Sequence, residues 1–138
     1  MVLPFSPYAV AMTEAGKMSR IAFLEGDRNT EIEALTTIIQ YSPWRGDIWL
    51  RIGRLQLDQG YYSESIQALD KAGNLGELST ESMLWLAEAL ILNGETDRAR
   101  DVLRQFSSKS EVDPFIFLQA AQMQRSLNDT YGALATLL

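Results

Sequence analysis

The sequence contains no cysteine and no histidine among its 138 residues. Without cysteine it has no disulfide, no thiolate nucleophile and no cysteine-ligated metal. Without histidine it lacks the commonest general base and metal ligand, so neither a serine–histidine–acid triad nor a histidine-ligated catalytic zinc can be built. We therefore expect no enzymatic activity and no cofactor. The absence of cysteine does not distinguish a cytoplasmic from a periplasmic location.

Long apolar runs and an excess of basic charge are also missing. No stretch approaches the ~20 apolar residues that a membrane-spanning helix needs, which predicts no insertion into a membrane. The net charge of −6 opposes binding to phosphate backbones, so we expect no nucleic-acid partner. The opening residues, MVLPFSPYAVAM, lack a basic leading region and do not indicate a signal peptide.

The sequence does contain an internal period of 34 residues. Gly26, Gly60 and Gly94 are 34 apart, and Asn128 continues the phase. A fixed period between about 20 and 50 residues indicates a stacked repeat architecture. The period predicts one domain of four units, the last of them incomplete, at residues 12–45, 46–79, 80–113 and 114–138.

Each unit has the pattern of two helices joined by a tight turn. Glycine or asparagine at the fifteenth position suits a backbone with positive φ. Small residues at the eighth and twentieth positions allow two helices to approach closely, as at Gly53 and Ser65 or at Ala87 and Ala99. The predicted helices span residues 8–25, 29–41, 46–59, 62–73, 80–93, 96–107, 114–127 and 130–138.

The second unit, DIWLRIGRLQLDQGYYSESIQALDKAG, resembles the tetratricopeptide repeat family. It has Trp49, Gly53, Gly60, Tyr62 and Ala72 where the family places its aromatic, small and turn residues. This resemblance covers nearly the whole chain and implies an all-α, right-handed α-solenoid of four 34-residue helix-turn-helix repeats. The first unit departs from the family pattern at Glu31 and Ile38, which predicts a shifted second helix, and the third departs at Phe106, which predicts wider helix packing.

The resemblance also implies a partner-binding groove on the concave side, lined by the first helix of each unit. Trp85 is the candidate aromatic anchor. Four cations are expected to form one basic strip, and acidic and apolar positions follow it, among them Glu81 and Phe115. The same pattern also fits an ordinary solvated helix face and a Trp85 buried by its neighbours. The predicted partner-binding residues are Lys17, Arg20, Leu50, Arg51, Arg54, Leu84, Trp85, Glu88 and Ile91.

These features predict a protein-interaction scaffold or adaptor that binds a protein or peptide segment with acidic and apolar residues. Two alternatives remain open at this stage. One is a repeat tail or regulatory domain of a larger bacterial polysaccharide or secretion machinery protein, and the other is a small secretion chaperone. Leu134, Leu137 and Leu138 form an apolar stripe with no following helix to cover it. The stripe predicts self-association through the C-terminal helix, or a chain that is a piece of a longer repeat protein.

Overall fold

The computed structural model describes residues 7–108, 113–128 and 130–137, and this part of the chain contains α-helices and no β-strand. The predicted all-α fold is confirmed, and the predicted helix bounds agree within one residue except at the end of the sixth helix. A short 3-10 helix, Gln105–Ser108, follows that helix directly. The α-helices are α1 (Pro7–Glu25), α2 (Arg28–Tyr41), α3 (Gly46–Asp58), α4 (Tyr62–Asn74), α5 (Thr80–Leu92), α6 (Thr96–Arg104), α7 (Pro114–Ser126) and α8 (Thr130–Leu137).

A left-handed backbone residue joins the two helices of every pair. The φ angles are 73° at Gly26, 84° at Gly60, 82° at Gly94 and 59° at Asn128. Glycine adopts this conformation without a steric penalty, and asparagine tolerates it better than most residues. The second helices α2, α4, α6 and α8 accordingly begin at positions 34 residues apart.

Small side chains bring the two helices of a pair into close contact. In the second pair the hydroxyl of Ser65 donates a buried 2.7 Å hydrogen bond to the carbonyl oxygen of Gly53. In the third pair Ala87 and Ala99 occupy the equivalent positions, and both are completely buried. The close packing predicted from the sequence is thus observed in both pairs.

Glu31 does not shift the second helix of the first unit, contrary to the expectation. Helix α2 begins at Arg28, 34 residues before α4 begins at Tyr62. The carboxylate of Glu31 is buried and accepts hydrogen bonds from the guanidinium of Arg51, at 2.7 and 3.1 Å. Because the carboxylate is paired within the interface, the helix keeps its register despite the large polar side chain.

The regular α-helix α6 ends two residues before Phe106. The α-helix ends at Arg104, and the chain tightens into the 3-10 helix that contains Phe106. The ring is completely buried in the apolar core beside Leu103 and Ala120. The bulky residue therefore fills space at the end of the helix pair.

The apolar core runs from unit to unit. One cluster joins Leu57, Ile66 and Leu69 of the second unit to the buried residues of α5 and α6. Another joins Leu35 and Ile38 of the first unit to residues of the second. Helix α5 packs against both α3 and α7, so the first helices of successive units lie side by side. This arrangement places their outward faces on one continuous surface.

Candidate functional site

A hollow of about 460 Å³ lies between the first helices α3, α5 and α7. Such a volume falls within the range of roughly 300–1,000 Å³ that is common for ligand clefts. We call it the central hollow. It is lined by Arg54, Glu81, Leu84, Trp85, Glu88, Asp113, Phe115, Ile116, Gln119 and Met123.

Trp85 is half-buried in the lining of the central hollow. The guanidinium carbon of Arg54 lies 5.1 Å from the centre of its ring, within the range of a cation–π interaction. The Nε atom of Arg54 also lies 3.3 Å from the carboxylate of Asp58, one turn further along α3. The charge of Arg54 is thus held between an aromatic ring and a carboxylate.

The acidic residues of the central hollow are placed by two helices. Glu81 and Glu88 precede and follow Trp85 by about one turn of α5, so all three lie on one face of the helix. Asp113 is the N-cap of α7, and its carboxylate accepts a 2.8 Å hydrogen bond from the backbone N–H of Phe115. The lining of the central hollow therefore includes three carboxylates and one guanidinium.

The predicted apolar site residues lie in two different environments in the structure. Leu84 is buried in the core and also contributes to the wall of the central hollow. Leu50 and Ile91 are half-buried and pack against the core beneath the surface. Trp85, Leu84 and Glu88 are thus brought together with Arg54, and Leu50 and Ile91 support the helices on which these residues lie.

Three of the four cations of the predicted basic strip line three separate hollows. Lys17 lines a hollow in α1, Arg20 lines another with Phe23 and Glu31, and Arg54 lines the central hollow. Lys17, Arg51 and Arg54 each lie within 4 Å of a carboxylate. Among the described residues Arg20 forms no ion pair, so it is the member of the set whose charge is least compensated.

The side chain of Arg51 is partly exposed and also forms an ion pair inside the protein. It holds the buried carboxylate of Glu31, and its guanidinium carbon lies 5.2 Å from the centre of the Phe23 ring. The ion pair joins residues 20 positions apart in the sequence, across two units. The repeat pattern did not predict that Arg51 connects two units of the fold.

Three residues of the central hollow were not predicted as site residues in any form. Ile116 and Met123 lie on α7, and Asp113 precedes it. Asp113 was missed because groove positions were assigned within first helices and this residue lies just outside one. Its place as an N-cap before Pro114 is the sequence signal that could have found it.

Apolar side chains remain exposed on α1 and α8. Met18 and Ile21 are 49% and 54% exposed, whereas their equivalents one unit later, Ile52 and Leu55, are each 2% exposed. Leu134 and Leu137 are likewise exposed, at positions where Ile66 and Leu69 of the second unit are buried against the third. Leu138, the third member of the predicted stripe, lies outside the described residues. The two faces are those that successive units bury against each other inside the chain.

The described helices include none long and apolar enough to cross a membrane. Within the same residues no group of three or more acidic side chains is arranged to hold a metal ion. The described residues present an all-α surface, and the central hollow combines acidic, aromatic and apolar side chains from three helices. The fold and this surface define a solenoid of helix pairs, a class that offers extended binding surfaces.

Comparison with known proteins relates one part of this solenoid to a known family. Residues 81–110 match the family model described as tetratricopeptide repeat. No curated protein sequence gives a significant match to the chain. The third helix pair therefore resembles a tetratricopeptide repeat, in agreement with the resemblance seen in the sequence.

Solved structures support the same fold. The chain is 20% identical to each of two crystal structures of MamA, with TM-scores of 0.75 and 0.74. These alignments cover 91% and 86% of this chain and 69% and 70% of the MamA chains. It is also similar to an O-GlcNAc transferase mutant of Thermobaculum terrenum, at 18% identity and a TM-score of 0.56, over 88% of this chain and 27% of that one. At these identities the likeness concerns the fold.

Proposed function

We propose that this chain is a protein-interaction scaffold that holds a segment of a partner protein along its first helices. The observation that carries this proposal is the central hollow, in which a half-buried Trp85 and an exposed Phe115 lie together between three helices. Aromatic side chains on a rigid framework are typical anchors of protein interfaces. The fold supplies the rigid framework, because α3, α5 and α7 each pack against their own second helix and α5 also packs against both α3 and α7.

The partner segment is proposed to lie with an acidic residue toward Arg20 and apolar residues toward Trp85. Arg20 is exposed and, among the described residues, forms no ion pair. Its charge is expected to act mainly on the association rate and its salt dependence, and the apolar contacts on the lifetime of the complex. Arg51 contributes less free charge, since Glu31 already holds its guanidinium.

Capture from cell extract followed by quantitative mass spectrometry tests the scaffold proposal. Trp85→Ala and Phe115→Ala remove groove side chains, and Trp44→Ala is the matched control because Trp44 is exposed in a turn between units. We expect a specific partner to be lost with both groove variants and retained with the control. Phe115 is exposed, so its removal leaves the core intact and separates loss of binding from loss of folding. A partner that is retained by both groove variants and lost with Trp44→Ala would contradict the proposal.

We also propose that two copies of this chain associate end to end. The exposed faces of α1 and α8 correspond to the two sides of the contact between successive units, so one copy's α8 matches the surface that α1 leaves open. Such a contact is heterologous, and each copy added leaves a new free face. Exposed apolar faces of this kind favour association.

A mixing experiment tests end-to-end association. Ile21→Glu and Leu134→Glu each block one face, and Leu75→Glu changes an exposed leucine outside both faces as a control. Light scattering is expected to show monomers for each blocked variant alone and dimers for their equimolar mixture, because one intact face of each kind remains. The control variant is expected to assemble like the parent. A parent protein that stays monomeric at all concentrations would refute this proposal.

A further inference from the structure

We infer that the central hollow receives a lysine or arginine side chain of the partner segment, over Trp85 and between the carboxylates of Glu81 and Glu88. The inference rests on the proposed function, because it assumes that a partner segment occupies the groove. The inference specifies one subsite of the groove, which is acidic, whereas the surface around Arg20 is basic.

The charge balance of the central hollow favours a cation. Its lining contains Glu81, Glu88 and Asp113 against one cation, Arg54, which already lies beside Asp58 outside the lining. Among the described residues Glu81 and Glu88 form no ion pair and no side-chain hydrogen bond. The net charge of −6 adds a long-range attraction between the chain and cationic segments.

The aromatic ring adds a second attraction for a cation. An indole face attracts an ammonium or guanidinium group through the quadrupole of its π-system. In this structure Arg54 already makes that contact at 5.1 Å, and its own charge is offset by Asp58. An incoming cation therefore shares the ring with Arg54 or displaces it toward Asp58, and it has the carboxylates of Glu81 and Glu88 about a turn of α5 away on either side.

The apolar part of the lining fits the stem of the same side chain. Phe115, Ile116 and Met123 contribute exposed or half-buried apolar surface from α7, opposite the acidic face of α5. Lysine and arginine carry an aliphatic stem and a charged head group. One such side chain can therefore contact the apolar residues of α7 with its stem and the carboxylates of α5 with its head group. An acidic side chain would gain the apolar contact and lose the electrostatic one. Apolar residues of the partner can pack beside Trp85 and Phe115, as proposed above, but an apolar side chain between Glu81 and Glu88 would leave these carboxylates without a partner.

Selection from a display library of random peptides, about twelve residues long, tests the inference and does not require the natural partner. The wild-type chain is compared with a Glu81→Gln/Glu88→Gln variant and with a Glu64→Gln/Asp101→Asn control. The control removes the same charge from exposed positions on second helices. We expect wild type and control to enrich lysine or arginine next to apolar residues, and the groove variant to lose the basic enrichment. A peptide selected on wild type is expected to bind the groove variant at least about fivefold more weakly, given the strength of such contacts.

The outcomes separate this inference from the function on which it rests. Peptides that lack basic residues, yet lose binding to Phe115→Ala, would overturn the cationic subsite and leave the scaffold proposal standing. Basic peptides that bind the groove variant as tightly as wild type would also overturn the inference. If no peptide is selected, or if selected peptides ignore Phe115→Ala, both the inference and the proposed use of the groove fail.

Discussion

The substitution Gly53→Ala tests the close contact between α3 and α4 most directly. A Cβ atom at this position would lie 2.7 Å from Cγ and 2.8 Å from Cδ2 of Leu69, and 3.4 Å from the backbone nitrogen of Leu69. Leu69 is completely buried in the core, so its side chain has no free space into which it can turn. The added methyl group must therefore push the two helices apart or distort the packing of Leu69.

Two opposing terms set the size of the effect. Replacing glycine by alanine inside a helix stabilises it by about 1 kcal/mol through backbone propensity. Overpacking a close core contact costs about 1–3 kcal/mol. We therefore expect Gly53→Ala to lower the free energy of unfolding by up to about 2 kcal/mol. The larger side chain of Gly53→Leu adds to this loss.

Gly16 is the matched control for Gly53. It also lies inside a helix, α1, but a Cβ atom there would have no neighbour within 4 Å. Gly16→Ala is expected to stabilise the protein by about 1 kcal/mol through propensity alone. Urea denaturation followed by circular dichroism compares the two variants, and equal stabilisation of both would refute the close contact at Gly53.

A double-mutant cycle assigns the cost to Leu69. Leu69→Ala alone is expected to cost about 2–5 kcal/mol, because it leaves a cavity in the core. In that background the methyl group of Gly53→Ala has room, so it is expected to be neutral or stabilising. The coupling energy between the two sites is then about 1–3 kcal/mol. A coupling near zero would show that the strain lies elsewhere.

Other variants probe the remaining contacts. Ala99→Leu is expected to cost about 1–3 kcal/mol in thermal melts, because Ala99 is completely buried between α5 and α6. Arg51→Ala is expected to cost about 1–3 kcal/mol in urea, because it leaves Glu31 buried without its cation, and adding Glu31→Gln should restore part of the loss. A hydrogen bond from the Thr30 hydroxyl lowers the pKa of Asp27, so the stabilisation from its charge is present above the unfolded-state pKa and is lost as the pH falls through the folded-state pKa. Asp27→Asn is therefore expected to melt below wild type at neutral pH and to converge with it in acid; a constant difference would exclude this charge effect.

The helix pairs themselves were predictable from the sequence. A residue that tolerates positive φ recurs every 34 positions, and small residues recur at fixed distances from it. Both signals are local, because a turn needs its own backbone conformation and a close contact needs its own small side chain. For that reason the positions of the helices, the turn residues and the contact of Gly53 with Ser65 agree with the prediction. The same periodicity places Trp85 on one face of α5 with Glu81 and Glu88, and all three line the central hollow.

The tertiary structure alone decided which charged groups meet. Glu31 and Arg51 are 20 residues apart, and Arg54 and Trp85 are 31 apart, on helices of different units. A repeat pattern tells which side of a helix a residue lies on, but the pairing across units depends on how far each helix is displaced from the next. That displacement comes from the volumes of buried residues such as Phe106 and Leu69, summed over the core. In the folded chain, three cations of the expected basic strip, Lys17, Arg51 and Arg54, each lie within 4 Å of a carboxylate. Among the described residues Arg20 forms no ion pair, and neither do Glu81 and Glu88 beside Trp85.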